Sequence, residues 1–402
     1  MRSAYSACRQ GTEALFADLD DETFRRQPHP DFSPAGWHLG HIAYTEAKWL
    51  LCHAGGEALP RPELQQTFDV AGLPKSERGE SLPEKPAVLD YAAEIRERTW
   101  DRLGGTDLGR DGRLWQFVLQ HESQHGETVA FLRYLMGDRA PMPEGRLGPM
   151  QFEYRPVPGG PVKIGYDNPA AIDNERPCHT VEVPDFAIAR YPVTQYQYLR
   201  FIESGGYNTQ RWWSEAGWTW RRQSGANGPL YWRHGVPDHP VMGVSLHEAE
   251  AFARFAGARL PTEFEWEKAA AWDPAAETAR RYPWGNEAPE PTTCNHDRIH
   301  RGTTPVDVHP QGASPYGVED MIGNVWEWTS TPFAPYPDFR AWPYEGYSAI
   351  YFDGLHFVLR GGSWATRPWS LRASFRNWYI PEARQIFAGF RLARDLTPQR
   401  AV

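Results

Sequence analysis

Residues Leu114–Leu135, LWQFVLQHESQHGETVAFLRYL, decide how the first third of the chain folds. Leu114, Val118, His121, His125, Thr128 or Val129, Leu132 and Leu135 follow one another at steps of three or four, the spacing of one stripe on one helix. This predicts an amphipathic helix with two histidines on its buried face. His121 and His125 stand at i and i+4, so their imidazoles lie one turn apart and converge on one point. A single buried histidine is more often a hydrogen-bonded core residue than a ligand. Burying two with nothing between them leaves ring nitrogens unpaired, at about 1–3 kcal/mol each. A cation between them removes that cost, and Glu122, Gln124 and Glu127 are placed to orient the rings or a substrate. The HxxxH spacing is half of a metal site and needs a third ligand.

Upstream, residues 1 to about 27 read as a first helix, followed by QPHPDFSPAGWHLGHIAYTEAKWLLCHAGG. Ser33 suits an N-cap, Pro34 the first helical position, and Gly55 and Gly56 the end. His38, His41 or Ile42, Thr45 and Trp49 share a face of that helix, so His38 or His41 can complete the site. Spacing alone does not choose between them. After a proline-rich loop, a helix from about Pro86 to Leu103 opens its pattern with Asp90, Ala93, Ile95 and Arg96. Four helices in this span predict a bundle whose facing helices supply a core metal site. Arg78, in the loop KSERGESLP, could reach over its mouth, although a solvated loop charge is the commoner reading.

The whole chain of 402 residues is 41% hydrophobic and long enough for two or three domains. Its 42 basic and 51 acidic residues give a net charge of -9 with no basic run, which argues against a nucleic-acid or acidic-membrane partner. A small soluble substrate fits better. The N-terminus lacks the charged and apolar regions of a secretory signal, and no apolar run approaches the roughly 18 residues of a membrane span, so the protein is expected in the cytoplasm. Cys8, Cys52, Cys178 and Cys294 are scattered without a CxxC, which leaves nitrogen or oxygen to hold a metal.

Residues 1–138 are thus expected to form the bundle, 139–152 a linker rich in Pro and Gly, and 153–402 a second domain. In it, VPGGPVKIGYD and HTVEVPDFAIARYPV alternate like short strands, and helices return at Thr194–Ser204 and Ser245–Phe255, the latter with a Ser245/Glu248 capping box. The remainder, including LPTEFEWEKAAAW, GVEDMIGNVWEWT, LRGGSW, SFRNW and AGFRLA, reads as irregular structure. The fold class is α+β in two domains.

From about residue 157 to 395 the chain resembles the formylglycine-generating-enzyme-like (sulfatase-modifying factor) domain, a variant of the C-type-lectin fold. The resemblance rests on Gly159-Gly160 with Ile164-Gly165, Pro192-Val193-Thr194, His239-Pro240-Val241, Arg259-Leu260-Pro261-Thr262-Glu263, Gly323-Asn324-Val325-Trp326-Glu327-Trp328, Arg360-Gly361-Gly362-Ser363-Trp364 and Gly389-Phe390-Arg391. Formylglycine generators hold copper with a cysteine pair where this chain reads LRASFRNW, without cysteine. The N-terminal part resembles the DinB-like four-helix bundle fused to such a domain in the ergothioneine-type sulfoxide synthases.

That resemblance implies Fe(II) held by His41, from the GHI at 40–42, and by His121 and His125, from the HESQH at 121–125. It implies that Gln124, Asn377 and Trp378 bind the trimethylated histidine, hercynine. Two residues depart from the mycobacterial pattern: an aspartate and an arginine that grip γ-glutamylcysteine are replaced by Tyr379 and Ala383, with Arg384 adjacent. A different thiol or a selenium donor is then in play. The family's catalytic tyrosine matches Tyr336, Tyr344 or Tyr347 without a choice among them.

Three neutral imidazoles leave open metal positions suited to Fe(II) and O2, with zinc hydrolysis as the chemical rival. A permanent trimethylammonium is best met by aromatic faces, at about 0.5–2 kcal/mol each, which Trp378 and Tyr379 can offer; Phe375 is expected rather to pack the core. The leading expectation is a sulfoxide synthase joining hercynine to a thiol with O2. The alternatives are a selenoneine synthase, an ovothiol-type synthase acting on histidine, and, from another class, a non-catalytic lectin-like binding module.

Overall fold

The computed structural model describes residues 1–142, 144–146 and 151–396. The chain divides into two compact units, Met1–Asp138 and Arg139–Val402. The expected linker falls partly on residues 143 and 147–150, outside the described residues. Among the described residues no helix is long and apolar enough to cross a membrane.

The first unit contains α1 (Arg2–Ala14), α2 (Asp21–Arg25), α3 (Ala35–Glu46), α4 (Gln65–Phe68), α5 (Lys85–Leu103) and α6 (Leu108–Leu135). The single helix expected over residues 1–27 is two, because the Asp20 side chain accepts from Thr23 N at 2.7 Å and starts α2 afresh. Pro34, not Ser33, occupies the N-cap of α3, and the Ser33 hydroxyl is turned to Arg78 instead. Beyond Glu46 the helix widens into a π-helical stretch, Ala47–His53, and closes at Gly56 with φ +70°. On α5 the buried face is Val88, Tyr91, Ala92, Ile95, Arg96 and Thr99; Asp90 and Ala93 are outside it, because the bulkier Val88 and Tyr91 set the stripe. Helix α6 starts six residues before Leu114 and is buried on most of its circumference, so it is a central helix rather than an amphipathic one.

Four charged side chains tie the long helices together. Arg9 of α1 pairs with Glu122 of α6 at 2.9 Å and with Glu46 of α3 at 2.9 Å. Arg96 of α5 pairs with the same two carboxylates, each at 2.7 Å. All four are buried and their charges cancel. Thr12 donates a further hydrogen bond to Glu122 at 2.8 Å. Glu122, expected beside the imidazoles, therefore faces away from them, as a residue one position along a helix from His121 must.

The second unit runs β1 (Tyr154–Val157), β2 (Gly160–Ile164), β3 (His179–Val183), β4 (Phe186–Ala189), α7 (Gln195–Glu203), α8 (Glu215–Ser224), α9 (Leu246–Phe255), α10 (Glu263–Ala271), β5 (Trp272–Asp273), β6 (Thr278–Ala279), β7 (Trp326–Pro332), β8 (Phe357–Arg360), β9 (Asn377–Tyr379), β10 (Ala388–Gly389) and β11 (Ala393–Asp395). Its sheets are β1-β4-β11, β10-β7-β8-β9, β2-β3 and β5-β6. The stretch LPTEFEWEKAAAW, expected to be irregular, is helical over α10, started by a Thr262/Glu265 capping box.

The landmark motifs of the second unit supply buried ion pairs in its core. Glu327 holds Arg391 at 2.6 Å and accepts from the Trp266 indole at 2.7 Å. Glu263 holds Arg376 at 2.9 Å and Arg360 at 3.1 Å, and Glu267 holds Arg360 at 2.6 Å. Gly323 has φ +81°, and a Cβ there would meet the Asn295 carbonyl oxygen at 2.2 Å, so only glycine fits.

Removing one member of the bundle's charge network leaves the others buried and unbalanced. Arg96→Met should lower unfolding stability by about 3–5 kcal/mol, read as a fall in the urea midpoint at neutral pH; a change under about 1 kcal/mol would assign the network no such role.

Candidate metal centre

Helix α6 carries His121 and His125 one turn apart, with ring centroids 4.4 Å from each other. Helix α3 brings His41 to 5.1 Å from His121 and 4.8 Å from His125. One ligand atom from each of the three lies within 4.8 Å of the others, the only such group of three among the described residues. The histidine that spacing left undecided falls beside this group: the His38 Nδ1 lies 2.8 Å from the His125 Nδ1.

A strap formed by α4 and the loop after it holds the α3 side of the centre through backbone carbonyls. Thr67 O accepts from the Trp37 indole at 2.6 Å, and Phe68 O accepts from His41 Nδ1 at 2.7 Å. A carbonyl cannot donate, so the His41 proton sits on Nδ1 and its lone pair on Nε2. Trp37 stacks on His41 at 4.5 Å and 11°. Arg78, expected as a solvated loop charge or a residue reaching over the mouth of the site, is buried with its guanidinium 3.9 Å from the Trp37 ring centre. Its nitrogens donate to Leu73 O at 2.9 Å, Ser33 Oγ at 2.7 Å and Val70 O at 2.8 Å. It clamps the strap to α3, a role invisible in the sequence because two of its three partners are backbone carbonyls, which carry no side-chain signal.

Burial keeps the imidazoles neutral. Desolvation, against a partly opposing hydrogen bond to Phe68, pushes the His41 pKa down to about 4. Desolvation and the His41 ring push that of His38 down to about 3. Burial also holds His121 and His125 well below the ordinary histidine value, with the neighbouring histidines adding to it. Three neutral imidazoles with converging lone pairs and no carboxylate among them fit a borderline divalent transition metal.

The remaining expected residues divide into groups. Gln124 donates back along α6 to Gln120 O at 3.2 Å, and Glu127 is buried. Asn377, Trp378 and Tyr379 form β9, where the Asn377 side chain accepts from Trp378 N at 2.9 Å. Trp378 stacks on Phe333 at 4.4 Å and meets Tyr347 at 6.1 Å and Tyr351 at 5.5 Å. Tyr344 lies 6.5 Å from Tyr347 and is 37% exposed. Tyr336 is separate from both: its hydroxyl donates to Glu263 at 3.5 Å and accepts from Arg360 at 3.3 Å inside the core, where burial and the carboxylates raise its pKa. Arg384 is paired with Glu248 at 3.0 Å, the same carboxylate that caps α9 and accepts from Tyr207 at 2.5 Å. Phe375 is buried against Trp326 at 5.9 Å, as expected of a core aromatic.

The sulfatase-modifying factor enzyme 1-like domain model matches residues 152–396, and the DinB superfamily model matches residues 4–129. Together the two matches define a chain that joins a DinB-type helical unit to a sulfatase-modifying-factor-type unit. Hercynine oxygenase of Mycolicibacterium smegmatis is 42% identical over 408 residues, spanning 94% of this chain and 95% of the relative. Hercynine oxygenase of Mycobacterium tuberculosis is 43% identical over 406 residues, spanning 94% and 95%. A formylglycine-generating enzyme of Thermomonospora curvata is 30% identical over 291 residues, spanning 60% of this chain and 92% of the relative. The chain belongs to the hercynine oxygenase family.

The depressed histidine pKa values carry a pH dependence for the metal-free protein. Unfolded histidines take up protons below about pH 6.5, whereas His41 in the folded state does so only near pH 4. Stability is therefore present above about pH 6.5 and lost as pH falls toward 4. Urea midpoints of the metal-free protein should drop across that window, and a flat profile between neutrality and pH 5 would show that these rings are not buried neutral.

Proposed function

We propose that the protein is a non-haem Fe(II), O2-dependent sulfoxide synthase of ergothioneine biosynthesis. It forms a C–S bond between the imidazole of hercynine and a thiol such as cysteine or γ-glutamylcysteine. The observation that carries this reading is the convergence of His41, His121 and His125 in a chain of this family. An imidazole C–H and a thiol S–H are replaced by a C–S bond; one oxygen atom ends on sulfur and the other leaves as water.

His41, His121 and His125 would hold the iron. Iron bound there would supply open coordination positions and would pass to O2 the four electrons that the imidazole and the thiol give up. The protein's own groups do the rest. The Phe68 carbonyl keeps the proton of His41 on Nδ1 and so presents Nε2. Gln124, Asn377 and Trp378 bind hercynine in this reading, and the ring cluster of Trp378, Phe333, Tyr347 and Tyr351 supports recognition of a trimethylammonium group by aromatic faces. Tyr336, Tyr344 and Tyr347 are the candidate proton donors in this reading, and the Tyr336 hydroxyl lies against Glu263 and Arg360. The four cysteines are thiols rather than disulfides, which suits a reducing, cytoplasmic setting.

One observation bears on the donor. Arg384 is paired with Glu248, and Tyr379 and Ala383 stand where the mycobacterial pattern has an aspartate and an arginine. This favours a donor other than γ-glutamylcysteine, either cysteine or a selenium compound, the latter making the enzyme a selenoneine synthase.

Anaerobic reconstitution with Fe(II), followed by oxygen uptake and product mass with hercynine plus cysteine, γ-glutamylcysteine or a selenosugar, tests both points. The expected result is uptake that needs both substrates, a sulfur- or selenium-bearing hercynine product, and none from His121→Ala. Failure of hercynine with every donor, while iron still binds, would overturn the substrate assignment.

A further inference from the structure

His38 is left without a role by the reading so far. It is three residues before His41 on α3, 5% exposed, and its Nδ1 lies 2.8 Å from the Nδ1 of His125. Two ring nitrogens at that distance share one proton, so one donates and the other accepts. When the Nε2 of His125 offers its lone pair to a metal, the proton of that ring is on Nδ1, and the His38 Nδ1 must accept it. The opposite assignment puts a proton on the Nε2 of His125 and takes its lone pair out of the site. His41 faces no such choice, because its partner is a carbonyl. The other nitrogen of His38, Nε2, is buried with no hydrogen-bond partner. That cost is present in either tautomer and does not select one. His38 is also not a fourth member of the cluster, since the group whose ligand atoms lie within 4.8 Å of one another is His41, His121 and His125.

We propose that His38 is a positioning residue of the metal centre: by accepting the Nδ1 proton of His125 it fixes that ring's tautomer and orientation, so that Nε2 faces the metal. The inference rests on the metal-centre reading above. It links the two helices a second time, because α3 then contributes one ligand, His41, and the partner that orients a ligand of α6. A residue in this position typically changes metal affinity by about 10–100-fold when removed.

The test uses the full-length metal-free protein, titrated anaerobically with Fe(II) against a competing chelator. His38→Phe keeps a ring but has no acceptor; His38→Asn places Oδ1 at the branch position of Nδ1 and can accept. The expected result is an affinity about 10–100-fold weaker for His38→Phe, restored to within a few-fold of wild type by His38→Asn, with unchanged far-ultraviolet circular dichroism. Equal affinity for wild type and His38→Phe overturns the proposal, as does an Asn variant as weak as the Phe variant. Should the Phe variant not fold, nitrogen-15 histidine NMR of the Zn(II)-loaded wild type decides: a His38 proton on Nε2 is expected, and one on Nδ1 overturns it. Wild type that binds no metal at all would take down the metal-centre reading with it, whereas tight wild-type binding indifferent to His38 sinks this inference alone.

Discussion

The first unit depends on one buried arrangement of charge. Arg9, Glu46, Arg96 and Glu122 come from four different helices and meet with no net charge, each carboxylate shared by both guanidinium groups. Such a network is a poor source of stability when compared with a well-packed apolar core, because four ions must be desolvated. It is a strict condition on register. A slip of α6 by one residue would remove Glu122 from both arginines, and the same slip would turn His121 and His125 off the point where His41 waits. Structural and chemical faces of α6 are thus fixed by adjacent residues, 121 and 122. Glu46 ties α3 in the same way, five residues beyond His41.

The strap after α4 adds a second constraint of a different kind. It gives backbone oxygens, and these hold Trp37, His41 and Arg78 in one layered arrangement of guanidinium, indole and imidazole. Backbone acceptors have no side-chain freedom to lose, so the His41 ring is held by a group whose own position is set by chain path. The orientation of His125 instead depends on another ring, which can hold its proton on either nitrogen. The two sides of the centre are therefore held by partners of unequal definiteness.

What was legible in the sequence was the part that repeats with a helical period. The i, i+4 histidine pair, the helix carrying a third histidine and the capping box at Ser245 all follow from spacing, and all fold as read. The choice of His41 over His38 did not follow from spacing; both lie on α3 close to the pair, and it is the three-dimensional placement of the ring nitrogens that groups His41 with His121 and His125. The outward face of Glu122 is not legible in the sequence, because a carboxylate next to a histidine suits a metal site as well as an ion pair and its partners Arg9 and Arg96 are 113 and 26 residues away. Tyr336 was grouped with Tyr344 and Tyr347 because they share a loop in the sequence, yet its hydroxyl belongs to the Glu263–Arg360 core. In the second unit the landmark motifs were recognisable as a set, but their physical content, buried arginine–glutamate pairs between segments far apart in sequence, appears only in three dimensions.

Three imidazoles from α3 and α6 converge where we propose that the iron is held. X-ray absorption at the iron edge of the Fe(II)-loaded, substrate-free protein tests it most directly. The expected spectrum carries the multiple-scattering signature of three imidazole ligands, reduced to two in His41→Ala. A spectrum with fewer than three imidazoles in the wild type, or one unchanged by His41→Ala, would contradict it.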